Sequence, residues 1–82
     1  MAGYHKKHIE KGVIGEFSKV LEEIEEIKDA VDQGCKIMEL VELSDLYGAI
    51  ELYVENKHQI SMNDLKVMSD ITKRAFNSGA RK

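Results

Sequence analysis

Apolar side chains recur along this chain at alternating steps of three and four. Phe17, Val20, Ile24, Ile27 and Val31 form such a series, the seam of an amphipathic helix that begins near Val13. Asp32-Gln33-Gly34 ends it, with Gly34 suited to the left-handed position after a helix. A second helix is predicted from about Lys36 to Asn56. Leu40, Leu43, Tyr47, Ile50 and Val54 lie on one side of it, and Met38, Val41, Leu46, Ala49, Leu52 and Tyr53 on the other. A helix apolar around most of its circumference needs burial from more than one direction. The third helix has its own start signal: Ser61 as N-cap, Asp64 three positions later, and Ile60 placed to staple onto Leu65. Leu65, Met68, Thr72, Ala75 and Phe76 give its inner face, and Gly79 stops it. Gly12 and Gly15 loosen the connection to the first segment, His5 to Lys11, which reads as a short helix or an arm. No repeat and no strand-like alternation interrupts this pattern. The expected fold is all-α: one domain over residues 1–82, an antiparallel helical bundle of about three main helices plus a short N-terminal segment.

Composition narrows the class. Eighty-two residues make at most one small core, so a partner chain or a bound ion is expected to help complete it. The chain is 43% hydrophobic and 33% charged, without Pro or Trp, which fits an ordered helical protein better than a disordered one. One cysteine, Cys35, excludes an internal disulfide framework and a Cys-rich zinc site; it reads as a small buried or boundary thiol in a reducing compartment. No apolar run follows Lys6-Lys7 and none approaches the length of a membrane span, so the expected location is cytoplasmic, with no membrane partner.

The formal net charge is only −3, but the signs are segregated. From Glu16 to Glu55 twelve acids face three lysines, whereas the two flanks together carry an excess of six positive charges. That layout argues against a nucleic-acid-binding face in the middle of the chain. It suits an acidic pocket on which basic groups converge from the ends.

At roughly 100° per residue, Glu16, Glu23 and Glu26 border the seam of the first helix, while Glu22, Glu25, Asp29 and Asp32 turn to the solvent side. On the second helix Glu42 points where Met38, Leu46, Ala49 and Tyr53 point, and Asp45 lies between Val41 or Leu52 and Met38. An ionised carboxylate among apolar neighbours needs a basic partner, a shared proton or a cation. Neither acid has a Lys or Arg three or four residues away. A hard divalent cation resolves the conflict with least strain, since Mg²⁺ accepts carboxylate oxygens, keeps several waters and takes a phosphate partner. The pairs Glu23 with Glu26 and Glu42 with Asp45, on adjacent antiparallel helices, would then share one site.

Glu22-Glu23-Ile24-Glu25-Glu26 fits EExxE, Glu42-Leu43-Ser44-Asp45 fits ExxD, and the fifteen residues from Ile27 to Val41 separate them. In this the chain resembles the MazG-like, all-α nucleoside triphosphate pyrophosphohydrolases over residues 12 to 81, and in size their small phage-encoded members. The resemblance implies Mg²⁺ ligands at Glu23, Glu26, Glu42 and Asp45, with Mn²⁺ as a substitute ion, and places Glu22 as a base or a supporting acid. It implies hydrolysis of a nucleoside triphosphate between the α- and β-phosphates, with Lys73, Arg74 and Arg81 stabilising the leaving pyrophosphate and Asn77 as a hydrogen-bonding partner. It also implies a homodimer or homotetramer in the cytoplasm, that of the host if phage-encoded. His8, Phe17 and Tyr53 are candidates for contact with the nucleobase. Val41 stands where many members carry a further Glu, and the chain is short for the family, which leaves the base pocket open.

Two rival readings remain. Glu55 and His58 form one Glu-x-x-His pair of the kind used in di-iron bundles, at a helix end far from Glu42. The other rival is a non-enzymatic acidic helical interaction protein that keeps the MazG-like fold.

Overall fold

The computed structural model describes residues 5–77, and its regular structure there is wholly helical: α1 Phe17–Gln33, α2 Lys36–His58 and α3 Met62–Asn77. The helix-stopping role expected of Gly79 lies outside the described residues. Each boundary has a local cause. Gly34 takes φ 69° and ψ 20°, and the αL turn lets its amide donate to the last carbonyls of α1, 3.0 Å from that of Val31. Cys35 follows as the N-cap of α2. Its Sγ accepts the Met38 amide at 3.5 Å, so the thiol is exposed and engaged at a helix start rather than buried. Before α3, Ser61 Oγ accepts the Asp64 amide at 3.2 Å, while Asp64 Oδ2 accepts the Ser61 amide at 3.1 Å, the reciprocal capping box expected there.

The two-residue link makes α1 and α2 an antiparallel hairpin, closed at its far end by Asn56. Its Nδ2 donates to the Gly15 carbonyl at 2.9 Å, beside a Lys57–Glu16 ion pair at 3.1 Å. Phe17 and Tyr53, two of the residues considered for nucleobase contact, meet there with ring centroids 5.6 Å apart.

The packed face of α1 is not centred on its apolar seam. Val20, Glu23 and Ala30 are buried, whereas Phe17, Ile24 and Val31 are exposed, a rotation of roughly 60° toward the acids. Acids expected at the border of the interface therefore lie at its centre. On α2 the buried set is Met38, Glu42, Ala49 and Val54; Leu40 and Tyr47 remain 67% and 60% exposed. Among the described helices α3 touches only α2, and it buries no residue fully, with Met68 and Phe76 of its expected inner face exposed.

Residues 5–16 form an arm without helix. It runs antiparallel along α1: Gly12 lies at Glu22, and His5 and Lys6 lie at Asp29. Gly12 makes the closest approach, since a Cβ there would overlap the Ser18 carbonyl and the Lys19 amide.

Candidate metal centre

The arm corrects one expectation directly. Glu22 and Asp29, turned to solvent by the helical periodicity of α1 alone, are both only 4% exposed, because the arm covers that flank. Glu22 Oε1 accepts the Gly12 amide at 2.8 Å and Lys19 Nζ at 3.1 Å, with Lys11 Nζ 3.8 Å from Oε2. Burial alone would raise its pKa, but the Gly12 amide and the two lysines outweigh that and hold it below the ordinary glutamate value. Glu22 is thus an ionised anchor and a poor proton acceptor.

Asp29 is fixed by three donors: His5 Nδ1 at 2.8 Å, Gln33 Nε2 at 2.8 Å and the Lys6 amide at 3.2 Å. The His5 ring spans from there to Glu42, its Nε2 3.0 Å from Glu42 Oε2 and 4.0 Å from Glu26 Oε2. Burial lowers the His5 pKa, but hydrogen bonds to Asp29 and Glu42 and the charge of Glu42 more than reverse this, so the ring holds its second proton more tightly than a free imidazole. The Asp29 carboxyl is held low chiefly by His5.

The four proposed ligands come together. Glu23 and Glu26 face Glu42 and Asp45 across the hairpin, and donor oxygens of Glu23, Glu42 and Asp45 lie within 4.8 Å of one another. So do those of Glu22, Glu23 and Glu26, and the donors of His5, Glu26 and Glu42. Glu42 is 1% exposed and Glu23 4%, whereas Asp45 sits at the more exposed rim, between the carboxylates and the apolar Ala49 and Leu52. A cavity of about 200 Å³ is lined by Glu22, Glu23, Glu26, Glu42, Asp45, Lys11 and Lys19.

Its electrostatics are unresolved by protein groups alone. Glu23 Oε2 pairs with Lys19 Nζ at 3.2 Å, but Glu23 Oε1 is buried and has no hydrogen-bond partner among the described residues. Burial and the neighbouring Glu23 and Glu42 push Glu26 up to about 8, so at neutral pH it holds a proton. Asp45 is also raised, by burial and by the charges of Glu23 and Glu42. Orphaned buried oxygen, crowded carboxylates and open volume fit a hard divalent cation, which would displace the Glu26 proton.

Two basic groups at this cavity, Lys19 and Lys11, were not among the sequence-derived site residues. Lys19 had a signal, its spacing of three and four from Glu22 and Glu23; His5 had none. Lys73 and Arg74 are exposed on α3 and act on Asp70 instead, Asn77 is exposed at the helix end, and none of the three lines the acidic cavity. Arg81 lies outside the described residues. His8 is exposed and pairs with Glu10 at 3.2 Å. Glu55 and His58 are exposed at the end of α2 and belong to none of the metal-capable groups among the described residues.

A second hollow of about 410 Å³ adjoins the first, sharing Lys19, Glu23 and Asp45 and extending over Ile14, Ser44, Gly48, Ala49 and Leu52. Compared with protein-family models, with curated proteins and with solved structures, the chain matches none. No helix among the described residues is long and apolar enough to cross a membrane.

Proposed function

We propose that the chain is a Mg²⁺-dependent nucleoside triphosphate pyrophosphohydrolase of the MazG-like type, converting a (deoxy)nucleoside triphosphate to the monophosphate and pyrophosphate. The observation that carries this reading is the convergence of Glu23, Glu26, Glu42 and Asp45 from two antiparallel helices on one cavity, with Glu23 Oε1 lacking a hydrogen bond among the described residues. Those four residues would hold the ion, and Mn²⁺ would substitute for it. When bound, Mg²⁺ offsets phosphate charge and lowers the pKa of water.

The remaining roles belong to the chain. Lys19, held by Glu22 at 3.1 Å and Glu23 at 3.2 Å, presents its ammonium to both hollows and would stabilise charge developing on the leaving pyrophosphate. Lys11 would reach the same phosphates from the arm. Glu22 keeps Lys19 extended and ties the arm to α1. The hollow over Ile14, Gly48, Ala49 and Leu52 has mixed polar and apolar walls suited to a nucleoside beside its phosphates. A second copy would cover the exposed Leu40, Tyr47, Ile24 and Val31, giving a homodimer or homotetramer.

The test is incubation with Mg²⁺ and a panel of ribo- and deoxyribonucleoside triphosphates, followed by separation of products. Monophosphate with pyrophosphate is expected from at least one of them. Intact nucleotides throughout, with no rise in Tm on adding Mg²⁺, would refute the proposal and leave the acidic interaction protein.

A further inference from the structure

His5, Asp29, Glu26 and Glu42 stand in an order that the Mg²⁺ reading does not use. Imidazole ligands of metals commonly donate their second ring nitrogen to a carboxylate, which fixes the tautomer and aims the free nitrogen at the ion. Here Asp29 Oδ2 lies 2.8 Å from His5 Nδ1 and is itself positioned by Gln33 and the Lys6 amide. The opposite nitrogen, Nε2, faces Glu42 Oε2 at 3.0 Å and Glu26 Oε2 at 4.0 Å. Donors held by one divalent ion with bonds of about 2.1 Å lie about 3.0 to 4.2 Å apart, according to its coordination geometry. Both distances fall in that span, the shorter one being the His5–Glu42 hydrogen bond of the metal-free chain. The His5 side chain is 6% exposed, so the ring is inserted rather than resting on the surface.

We propose that His5, Glu26 and Glu42 form a second cation site, selective for a borderline divalent transition metal, with Asp29 as the residue that positions the imidazole. An imidazole nitrogen suits Zn²⁺ or Co²⁺ far better than Mg²⁺. The site shares Glu26 and Glu42 with the Mg²⁺ reading, and Glu23 Oε1, buried and without a hydrogen-bond partner among the described residues, lies in the adjoining carboxylate group that contains Glu26. Entry of the metal replaces the proton on Nε2, while Nδ1 keeps its proton for Asp29. The arm thereby becomes part of a two-ion centre, with Glu26 and Glu42 between the ions.

Calorimetric titration with Zn²⁺, Co²⁺ and Mg²⁺ separately tests this on the intact chain. His5→Gln should weaken Zn²⁺ and Co²⁺ at least about tenfold and leave Mg²⁺ within about twofold. Asp29→Asn should cost about 10- to 100-fold in Zn²⁺ affinity, as loss of an orienting carboxylate does at such sites. Should either variant fail to fold, the wild type decides: long-range ¹⁵N–¹H histidine spectra should show Nε2 of His5 moving on adding Zn²⁺, with His8 and His58 unchanged. A stationary His5 resonance at saturating Zn²⁺, or coincident Zn²⁺ isotherms for wild type and folded His5→Gln, would overturn the proposal. Absence of nucleotide hydrolysis with Mg²⁺ would overturn the enzymatic reading alone, because neither metal-binding readout depends on activity.

Discussion

Mg²⁺ binding should be strongly linked to pH through Glu26. Its carboxyl is pushed up to about 8 by burial and by Glu23 and Glu42, so below that value the ion must displace a proton. For one group titrating at about 8, the apparent affinity rises about 25-fold between pH 6.5 and pH 8.5 and then levels off. At pH 7 about nine-tenths of a proton leaves Glu26 per ion bound. Calorimetry in two buffers of different ionisation enthalpy counts that proton directly, and Glu26→Gln should abolish it while weakening binding. Stability of the metal-free protein moves the other way. A carboxyl whose folded pKa lies above the ordinary 4.5 contributes stability that is complete below 4.5 and is lost as pH rises through about 8. The raised pKa of His5 acts in the same sense, its contribution present below 6.5 and lost above the folded value. Metal-free Tm should therefore fall from pH 5 to pH 8.5, and saturating Mg²⁺ should remove most of that fall. An affinity unchanged between pH 6.5 and pH 8.5, with the protein folded at both, would mean that Glu26 does not share the cavity with Glu23 and Glu42.

Three further outcomes test other parts of the structure. Glu42→Gln and Asp45→Asn should each reduce Mg²⁺-dependent hydrolysis at least about 100-fold, whereas exposed Glu25→Gln should leave it nearly intact; equal losses in all three, measured as kcat/KM, would contradict the site geometry. Gly34→Ala should cost about 1 kcal/mol, from its left-handed backbone alone, since nothing lies within 4 Å of the added methyl. Gly12→Ala should detach the arm and cost more, about 2 kcal/mol or above, because it also breaks the charged hydrogen bond to Glu22; urea unfolding compares the two. Gly48→Leu should raise KM by filling the larger hollow, while helix propensity raises Tm, since Gly48 also has open space around it.

The helices were legible because their signals are local. Gly34, the Ser61–Asp64 box and the apolar series place the end of α1, both ends of α2 and the start of α3 within a few residues, whereas α1 starts at Phe17 rather than near Val13. The meeting of Glu23, Glu26, Glu42 and Asp45 was legible too, since it needs only helical spacing and an antiparallel hairpin. Periodicity erred where the covering element is not a helix. Glu22 and Asp29 are buried by an arm whose sequence carries no period, and His5 reaches Asp29 and Glu42 across separations that no spacing rule connects. It also misplaced the α1 interface, because a wheel drawn on one helix weighs apolar residues and cannot anticipate that the partner helix packs against its acids.

The arm that runs back along α1 also bears on the order in which the molecule forms and comes apart. The hairpin closes over a two-residue link, whereas the His5 contacts bridge 24 and 37 positions of sequence, a far larger loop to close. Such contacts form late, after the hairpin has brought Asp29 and Glu42 together. Substitutions in the arm should therefore leave the refolding rate nearly unchanged and act on the unfolding rate. The arm works as a latch: it sets how long the assembled carboxylates stay together, not how quickly they meet.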